Sequence, residues 1–152
     1  RTLHNLLRVA LDDFEAVLAQ PNVVIDMGDW VRPVRKRCTV CLAGSVMYQQ
    51  YGIRSLTSEE DMGLVFGHAV ARRLDALNAL RVGHVASAWL SSRGVMEWEL
   101  PRAPKRAISL HARWSARLRE FTYNDGLMSP MVARLFLGEM RALQKDLKTA
   151  GL

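Results

Sequence analysis

The chain has 152 residues, of which 49% are hydrophobic and 24% are charged, and its formal net charge is +6. These proportions are close to the average for globular proteins, so they exclude a disordered chain, a collagen-like repeat and a disulfide-dense miniprotein. The length suits one hydrophobic core, and we expect residues 1–152 to form a single globular domain.

The N-terminal part of the chain predicts one helix and one strand. Apolar side chains recur at helical spacing over residues 2–19, and Pro21 ends this amphipathic helix. The β-branched run Val23–Ile25 predicts a short buried strand. A turn over residues 27–30 and a basic loop over residues 32–37 are expected to follow.

The middle of the chain is dominated by helical patterns. Residues 38–50 are apolar or small on nearly every side, which is typical of a helix buried at the centre of its domain. Another helix is expected to run from a cap at Thr57 or Ser58 to about residue 80, because acidic residues occupy its first turn. A shorter helix is expected over residues 84–91.

Residues 95–100 alternate between apolar and polar side chains. This period of two predicts a half-buried strand in which Met96, Trp98 and Leu100 face the interior. We expect this strand to pair with Val23–Ile25.

The C-terminal part of the chain predicts two further helices. One covers residues 109–121, and the other runs from a start signal at Ser129 and Pro130 to residue 149, with a turn over residues 123–126 between them. The expected fold class is therefore mainly α (α+β), with about six helices around a buried central helix and a minimal two-stranded β ribbon.

The C-x-x-C motif formed by Cys38 and Cys41 has three interpretations: two buried packing residues, half of a zinc site, or a redox dithiol. Zinc needs two further ligands, and the scattered histidines do not form a second closely spaced pair. We favour the packing role and expect no cofactor. The metal alternative would use Cys38, Cys41, His68 and His84.

Arginine makes up 17 of the 21 basic residues, and guanidinium groups form bidentate contacts with carboxylate and phosphate. The net charge is −3 over residues 1–31, +5 over residues 32–57, −2 over residues 58–100 and +6 over residues 101–152. This pattern predicts an anion-binding surface, with an ordinary solvated helix face as the alternative. The predicted binding residues are Arg113, Arg117, Arg134, Arg141 and Lys145 in the C-terminal helices and Arg35 and Arg37 in the basic loop.

Residues 25–47 carry a recognisable pattern. It reads D-M-G-D-W at Asp26–Trp30 and C-T-V-C-L-A-G at Cys38–Gly44. This arrangement resembles small uncharacterised phage and prophage proteins in which D-M-x-x-W precedes a C-x-x-C-x-A-G helix. The resemblance implies a phage accessory role, such as inhibition of a bacterial defence system, and it identifies no catalytic residues.

These observations favour a binding protein over an enzyme, because the sequence lacks the common nucleophile, nucleotide and metalloprotease motifs. The first hypothesis is a phage-type protein that inhibits a defence component, such as a CRISPR complex or a nucleotide-signalling system, through its Arg-rich surface. The alternatives are a small Cys-centred zinc or redox protein and a general nucleic-acid-binding protein.

The expected partner is an acidic host protein, a nucleotide or a nucleic acid, and the sequence is compatible with a homo-oligomer. No stretch is apolar enough to span a bilayer, and acidic residues near the N-terminus argue against a signal peptide. We therefore expect a protein of the bacterial host cytoplasm with no membrane partner. Charge reversal at Arg134 and Arg141 is expected to abolish binding without lowering the melting temperature.

Overall fold

The computed structural model describes residues 2–122 and 126–152, apart from the side chains of Glu97 and Thr122. This part of the chain is mainly helical with one small sheet, which confirms the α+β class, but it contains eight rather than six α-helices and a four-stranded sheet rather than a two-stranded ribbon. The helices are α1 (Leu3–Leu18), α2 (Leu42–Tyr51), α3 (Met62–Phe66), α4 (His68–Arg81), α5 (Val85–Ser92), α6 (Lys105–Arg117), α7 (Arg119–Thr122) and α8 (Pro130–Thr149), and a 3-10 helix covers Glu97–Arg102. The strands are β1 (Val23–Asp26), β2 (Val31–Val34), β3 (Arg37–Val40) and β4 (Leu127–Met128).

The sheet has the strand order β2-β3-β1-β4. Strands β2 and β3 form an antiparallel hairpin, and β3 runs parallel to β1 with Val23 beside Cys38. Strand β4 pairs with the other edge of β1 in antiparallel orientation. The basic segment 32–37, predicted as a loop, therefore belongs to the hairpin, and Arg35 at its turn has a left-handed φ of 56°.

The strand predicted over residues 95–100 is wrong, because this segment leads into the 3-10 helix. Met96 is 56% exposed and Trp98 is 79% exposed, so neither side chain faces the interior. Both edges of β1 are already hydrogen-bonded, one to β3 and the other to β4, and β1 therefore has no free edge for another strand. Pro101 also lacks the N–H that a ladder would need.

The single helix predicted up to residue 80 is divided into α3 and α4. Gly67 separates them with a φ of 82°, which helical residues do not adopt. Helix α3 begins after Asp61, whose carboxylate accepts a hydrogen bond from the Gly63 N–H at 2.8 Å. The cap is therefore Asp61 rather than Thr57 or Ser58.

The C-terminal helices agree with the sequence pattern except at their ends. Helix α6 begins directly after Pro104, earlier than predicted. Helix α8 begins as predicted, because the Ser129 hydroxyl accepts a hydrogen bond from the Val132 N–H at 3.2 Å and Pro130 occupies the first position. The predicted turn over residues 123–126 falls largely outside the described residues.

Helix α2 is buried from Leu42 to Tyr48, as predicted for the central helix, but residues 38–40 belong to β3. Gly44 permits a close backbone contact, since a Cβ at this position would lie 1.6 Å from the Trp30 carbonyl oxygen. The same oxygen accepts a hydrogen bond from the Cys41 N–H at 3.2 Å. The segment between β1 and β2 is thus packed directly on the first turn of α2.

Helix α1 lies between α2 and α8. Phe14 contacts Phe136 of α8 edge-on at a centroid distance of 5.7 Å. The Leu152 carbonyl accepts hydrogen bonds from the N–H groups of Leu3 and His4, so Leu152 satisfies free amides at the start of α1. Helices α4, α5 and α6 pack against one another in succession. None of the described helices is long and apolar enough to cross a membrane.

Replacing Gly44 with alanine is expected to destabilise the protein by about 3 kcal/mol, because the new methyl group would overlap the backbone of Trp30. Gly138→Ala is a matched control within α8, where a Cβ would meet no atom within 4 Å, and should stabilise the protein by about 0.5–1 kcal/mol. Urea unfolding measures both effects. Wild-type stability of Gly44→Ala would contradict the close contact between Trp30 and α2.

Candidate functional site

Arg113 and Arg117 of α6 are joined to carboxylates of α8. Arg113 donates to Asp146 at 2.7 Å, and Arg117 donates to both oxygens of Glu139 at 2.6 and 3.2 Å. The hydrogen bond to Glu139 raises the pKa of Arg117. Its guanidinium also lies 4.3 Å from the centre of the Trp114 ring. These two predicted binding residues therefore connect α6 to α8.

Arg141 of α8 has a similar role toward α1. Its Nη2 donates to Asp12 at 3.1 Å and to Glu15 at 2.9 Å. A carboxylate at position 141 would stand beside two others and repel them. We therefore expect charge reversal at Arg134 and Arg141 to lower the melting temperature, contrary to the expectation from the sequence.

Arg134 and Lys145 are exposed on α8 and have no hydrogen-bond or ion-pair partner among the described residues. The surroundings of Arg134 nevertheless carry both signs of charge. Arg134 lines a shallow cavity of about 520 Å³ together with Glu15 and Arg141. The positive charge of residues 101–152 is thus partly offset by carboxylates of α1 that are distant in the sequence.

The hairpin formed by β2 and β3 has a different charge pattern. Arg35, Lys36 and Arg37 are exposed, and none of them has a hydrogen-bond or ion-pair partner in the part of the chain that the structure describes. Arg32 contacts Asp29 at 3.4 Å, near the base of the hairpin. We call Arg35, Lys36 and Arg37 the hairpin cations. Within the described residues their charges are not compensated.

The predicted binding residues do not form one surface. The hairpin includes β2 at one edge of the sheet, whereas α8 contacts β4 at the opposite edge. Neighbouring strands lie about 4.8 Å apart, so the three steps from β2 to β4 span about 14 Å across the sheet. The structure therefore divides the predicted set into the hairpin cations and a mixed-charge surface on α6 and α8.

Both cysteines are free thiols and both are buried. Cys41 caps α2, because its Sγ accepts a hydrogen bond from the Gly44 N–H at 3.3 Å. The Cys38 Sγ lies 3.7 Å from the Arg54 carbonyl oxygen. Burial raises the pKa of both thiols. Since the thiolate is the metal-binding and redox-active form, this environment favours the packing role.

The histidines proposed as metal ligands occupy other positions. His68 is exposed at the start of α4, and His84 stacks on His111 at a centroid distance of 4.9 Å. No group of three His, Cys, Asp or Glu side chains among the described residues could hold a metal ion. His111 instead accepts a hydrogen bond from the Ala86 N–H at 3.1 Å, at the start of α5.

The reasoning from sequence missed the acidic partners of the arginines. Glu139 and Asp146 are seven residues apart on α8, and Asp12 and Glu15 are three residues apart on α1. These spacings place each pair on one helix face, and the sequence could therefore have predicted two acidic faces. Which arginines lie opposite them depends on helix packing.

Comparison with known proteins provides no relative of this chain. No family model matches it, and no curated protein or solved structure gives a significant match. The placement of the residues therefore carries the functional argument.

Replacing Asp146 with alanine should destabilise the protein by about 1–3 kcal/mol. The fully buried Trp114 ring donates its indole N–H to Asp146 at 2.9 Å, and this donor would lose its acceptor. Glu139→Ala removes only an exposed ion pair and should cost less than about 1 kcal/mol. Denaturant unfolding compares the two variants, and equal losses would show that the indole bond contributes nothing beyond the ion pairs.

His111 should make stability depend on pH. Burial, together with the charge of His84, lowers the pKa of His111 below its usual 6.5. The neutral ring accepts the Ala86 N–H. Below pH 6.5 the unfolded chain binds a proton at His111 more readily than the folded protein does. The contribution of the neutral His111 to the free energy of unfolding is therefore complete above pH 6.5 and is lost as the pH falls below this value. The loss cannot exceed about 1.4 kcal/mol per pH unit for one proton.

The matched variant is His111→Asn, whose amide oxygen can accept the same hydrogen bond without titrating. Urea midpoints measured between pH 7.5 and about pH 5 should fall less steeply for this variant than for the wild type. Identical slopes for the two proteins would contradict a neutral His111 in the folded state.

Proposed function

We propose that this protein acts by binding a polyanionic partner through the hairpin cations. The observation that carries the proposal is the contrast between its arginines. Arg113, Arg117 and Arg141 are paired with carboxylates of neighbouring helices, whereas Arg35, Lys36 and Arg37 are adjacent, exposed and without a charge partner in the described parts of the chain. An array of like charges without counterions attracts an external polyanion.

The backbone of the hairpin supports this function. Two hydrogen-bonded strands hold the turn on a defined support, from which the cations extend at the edge of the sheet. Guanidinium groups form paired hydrogen bonds with phosphate or carboxylate oxygens, and the Lys36 ammonium adds a further donor. The chemistry fits a nucleic-acid backbone or an acidic surface of a nucleic-acid-binding complex.

The biological setting of the proposal comes from the phage-like pattern in residues 25–47. This segment includes the whole hairpin and the first turns of α2. The partner would then be a bacterial defence component, such as a CRISPR complex or a nucleotide-signalling system, that this protein inhibits by occupying its anionic or nucleic-acid-bearing site. The Cys-centred alternative receives no comparable support, because both thiols are buried and Cys41 caps a helix.

The hairpin proposal predicts salt-dependent binding of a fluorescently labelled 20-base-pair DNA duplex, used as a polyanion probe and followed by anisotropy. The variant Arg35→Asn/Arg37→Gln should weaken binding by about tenfold or more, and asparagine suits the left-handed backbone at position 35. If both cations contact phosphates, the slope of log affinity against log salt should become shallower by about 1.8.

Arg134→Gln/Lys145→Gln is the matched control, because it removes the same charge from α8 and its residues are likewise exposed. It should retain most of the binding. No detectable duplex binding by the wild type, or a greater loss in the α8 variant than in the hairpin variant, would contradict the assignment of the hairpin.

The inhibitory role has its own test in bacteria that carry a defined defence system. Expression of the wild-type protein should raise the plating efficiency of a phage that the system restricts, and the hairpin variant should not. Equal plating with both proteins, at equal expression, would separate anion binding from any effect on defence.

A further inference from the structure

A cavity of about 410 Å³ lies between α1, α2 and α4. Its lining is mixed, with apolar side chains from all three helices and five polar or charged residues. The principal apolar residues are Leu6, Val9, Ala10, Val46, Leu74 and Leu77. Leu74 and Leu77 are almost fully buried, whereas Val9 is 38% exposed at the opening. This size and lining are typical of small-molecule sites.

The two charged side chains that line the cavity are both arginines. Arg8, Arg73 and Tyr51 contribute to its lining together with two side-chain amides, and no carboxylate is among the described lining residues. Arg8 contacts Asp12 at 3.5 Å. The Arg73 side chain is half-buried and has no hydrogen-bond or ion-pair partner in the described parts of the chain.

Arg73 therefore differs from the paired arginines of α6 and α8, which donate to carboxylates on neighbouring helices. A half-buried guanidinium loses part of its hydration, and hydrogen bonds to an anion can offset the free energy that this costs. An apolar wall beside the cation favours a ligand that joins an anionic group to a hydrocarbon body. Neither feature alone specifies such a ligand, but the two are adjacent in one cavity.

We propose that this cavity binds a small amphipathic carboxylate, with its hydrocarbon part against Leu74, Leu77 and Val46 and its carboxylate at Arg73. Arg8 also lines the cavity, but its charge is offset by Asp12, so Arg73 is the cation available to the ligand. Tyr51 contacts Phe66 edge-on at a centroid distance of 5.0 Å, which holds its ring at the C-terminal end of α2 beside the cavity. The site is separate from the hairpin cations and does not depend on their function.

Straight-chain carboxylates below their aggregation concentrations are suitable probes, followed by ¹H–¹⁵N NMR titration of the wild-type protein. Hexanoate, octanoate and decanoate should bind with rising affinity, by about fourfold for each methylene group that is buried. Decanol, which lacks the charge, should bind at least about tenfold more weakly than decanoate. The largest shifts should occur at residues of α1, α2 and α4 that surround the cavity.

Two variants locate the site. Arg73→Met retains an apolar stem without the charge and should weaken decanoate binding by about tenfold to a hundredfold, as loss of a charge-assisted hydrogen bond predicts. Val9→Trp should block the opening, and its partly exposed position leaves room for the ring outside the core. Melting temperatures verify that both variants are folded.

Arg72→Met is the matched control, because Arg72 is the preceding residue of α4 and does not line this cavity. It should bind decanoate as the wild type does. The proposal is overturned if the wild type shows no saturable decanoate binding, if decanol binds as well as decanoate, or if Arg72→Met and Arg73→Met lose binding equally.

Discussion

The arrangement of the sheet and the central helix depends on one backbone oxygen. The Trp30 carbonyl lies against Gly44 and accepts a hydrogen bond from the Cys41 N–H. This contact holds the segment between β1 and β2 on α2, while β3 leads directly into the same helix. Only glycine leaves room for this oxygen at residue 44. The close contact therefore fixes where α2 lies, and α2 in turn forms part of the cavity wall with α1 and α4.

Ion pairing divides the arginines into those that join helices of the protein and those that remain able to bind an external anion. Arg113, Arg117 and Arg141 meet carboxylates on neighbouring helices, and Asp146 also satisfies the buried Trp114 indole. Such exposed pairs contribute little individually to stability, but they neutralise the cations locally. The hairpin cations and Arg73 lack such partners in the described structure, as do Arg134 and Lys145, but the hairpin places three such cations side by side and Arg73 lies in a cavity.

Local patterns predicted the elements whose signals do not depend on distant residues. The period of apolar residues indicated α1, and Ser129 with Pro130 marked the start of α8. The alternating segment around Trp98 was misleading, because a strand also needs a free neighbour, and β3 and β4 occupy both edges of β1. The basic residues 32–37 were predicted as a loop, yet this segment contains Pro33 within β2, where proline is tolerated because β2 lies at the edge of the sheet.

The sequence by itself determined the mainly helical class, the buried character of α2 and the excess of arginine. These properties follow from composition and from side-chain periods within single elements. The tertiary structure decided which cations are neutralised, because Asp12 and Glu15 reach Arg141 only when α1 packs on α8. It also created the cavity at Arg73, whose walls come from three helices that are separated in the chain. Ion pairs between helices and a cavity enclosed by several helices depend on how the elements pack, so the sequence pattern within a single element does not predict them.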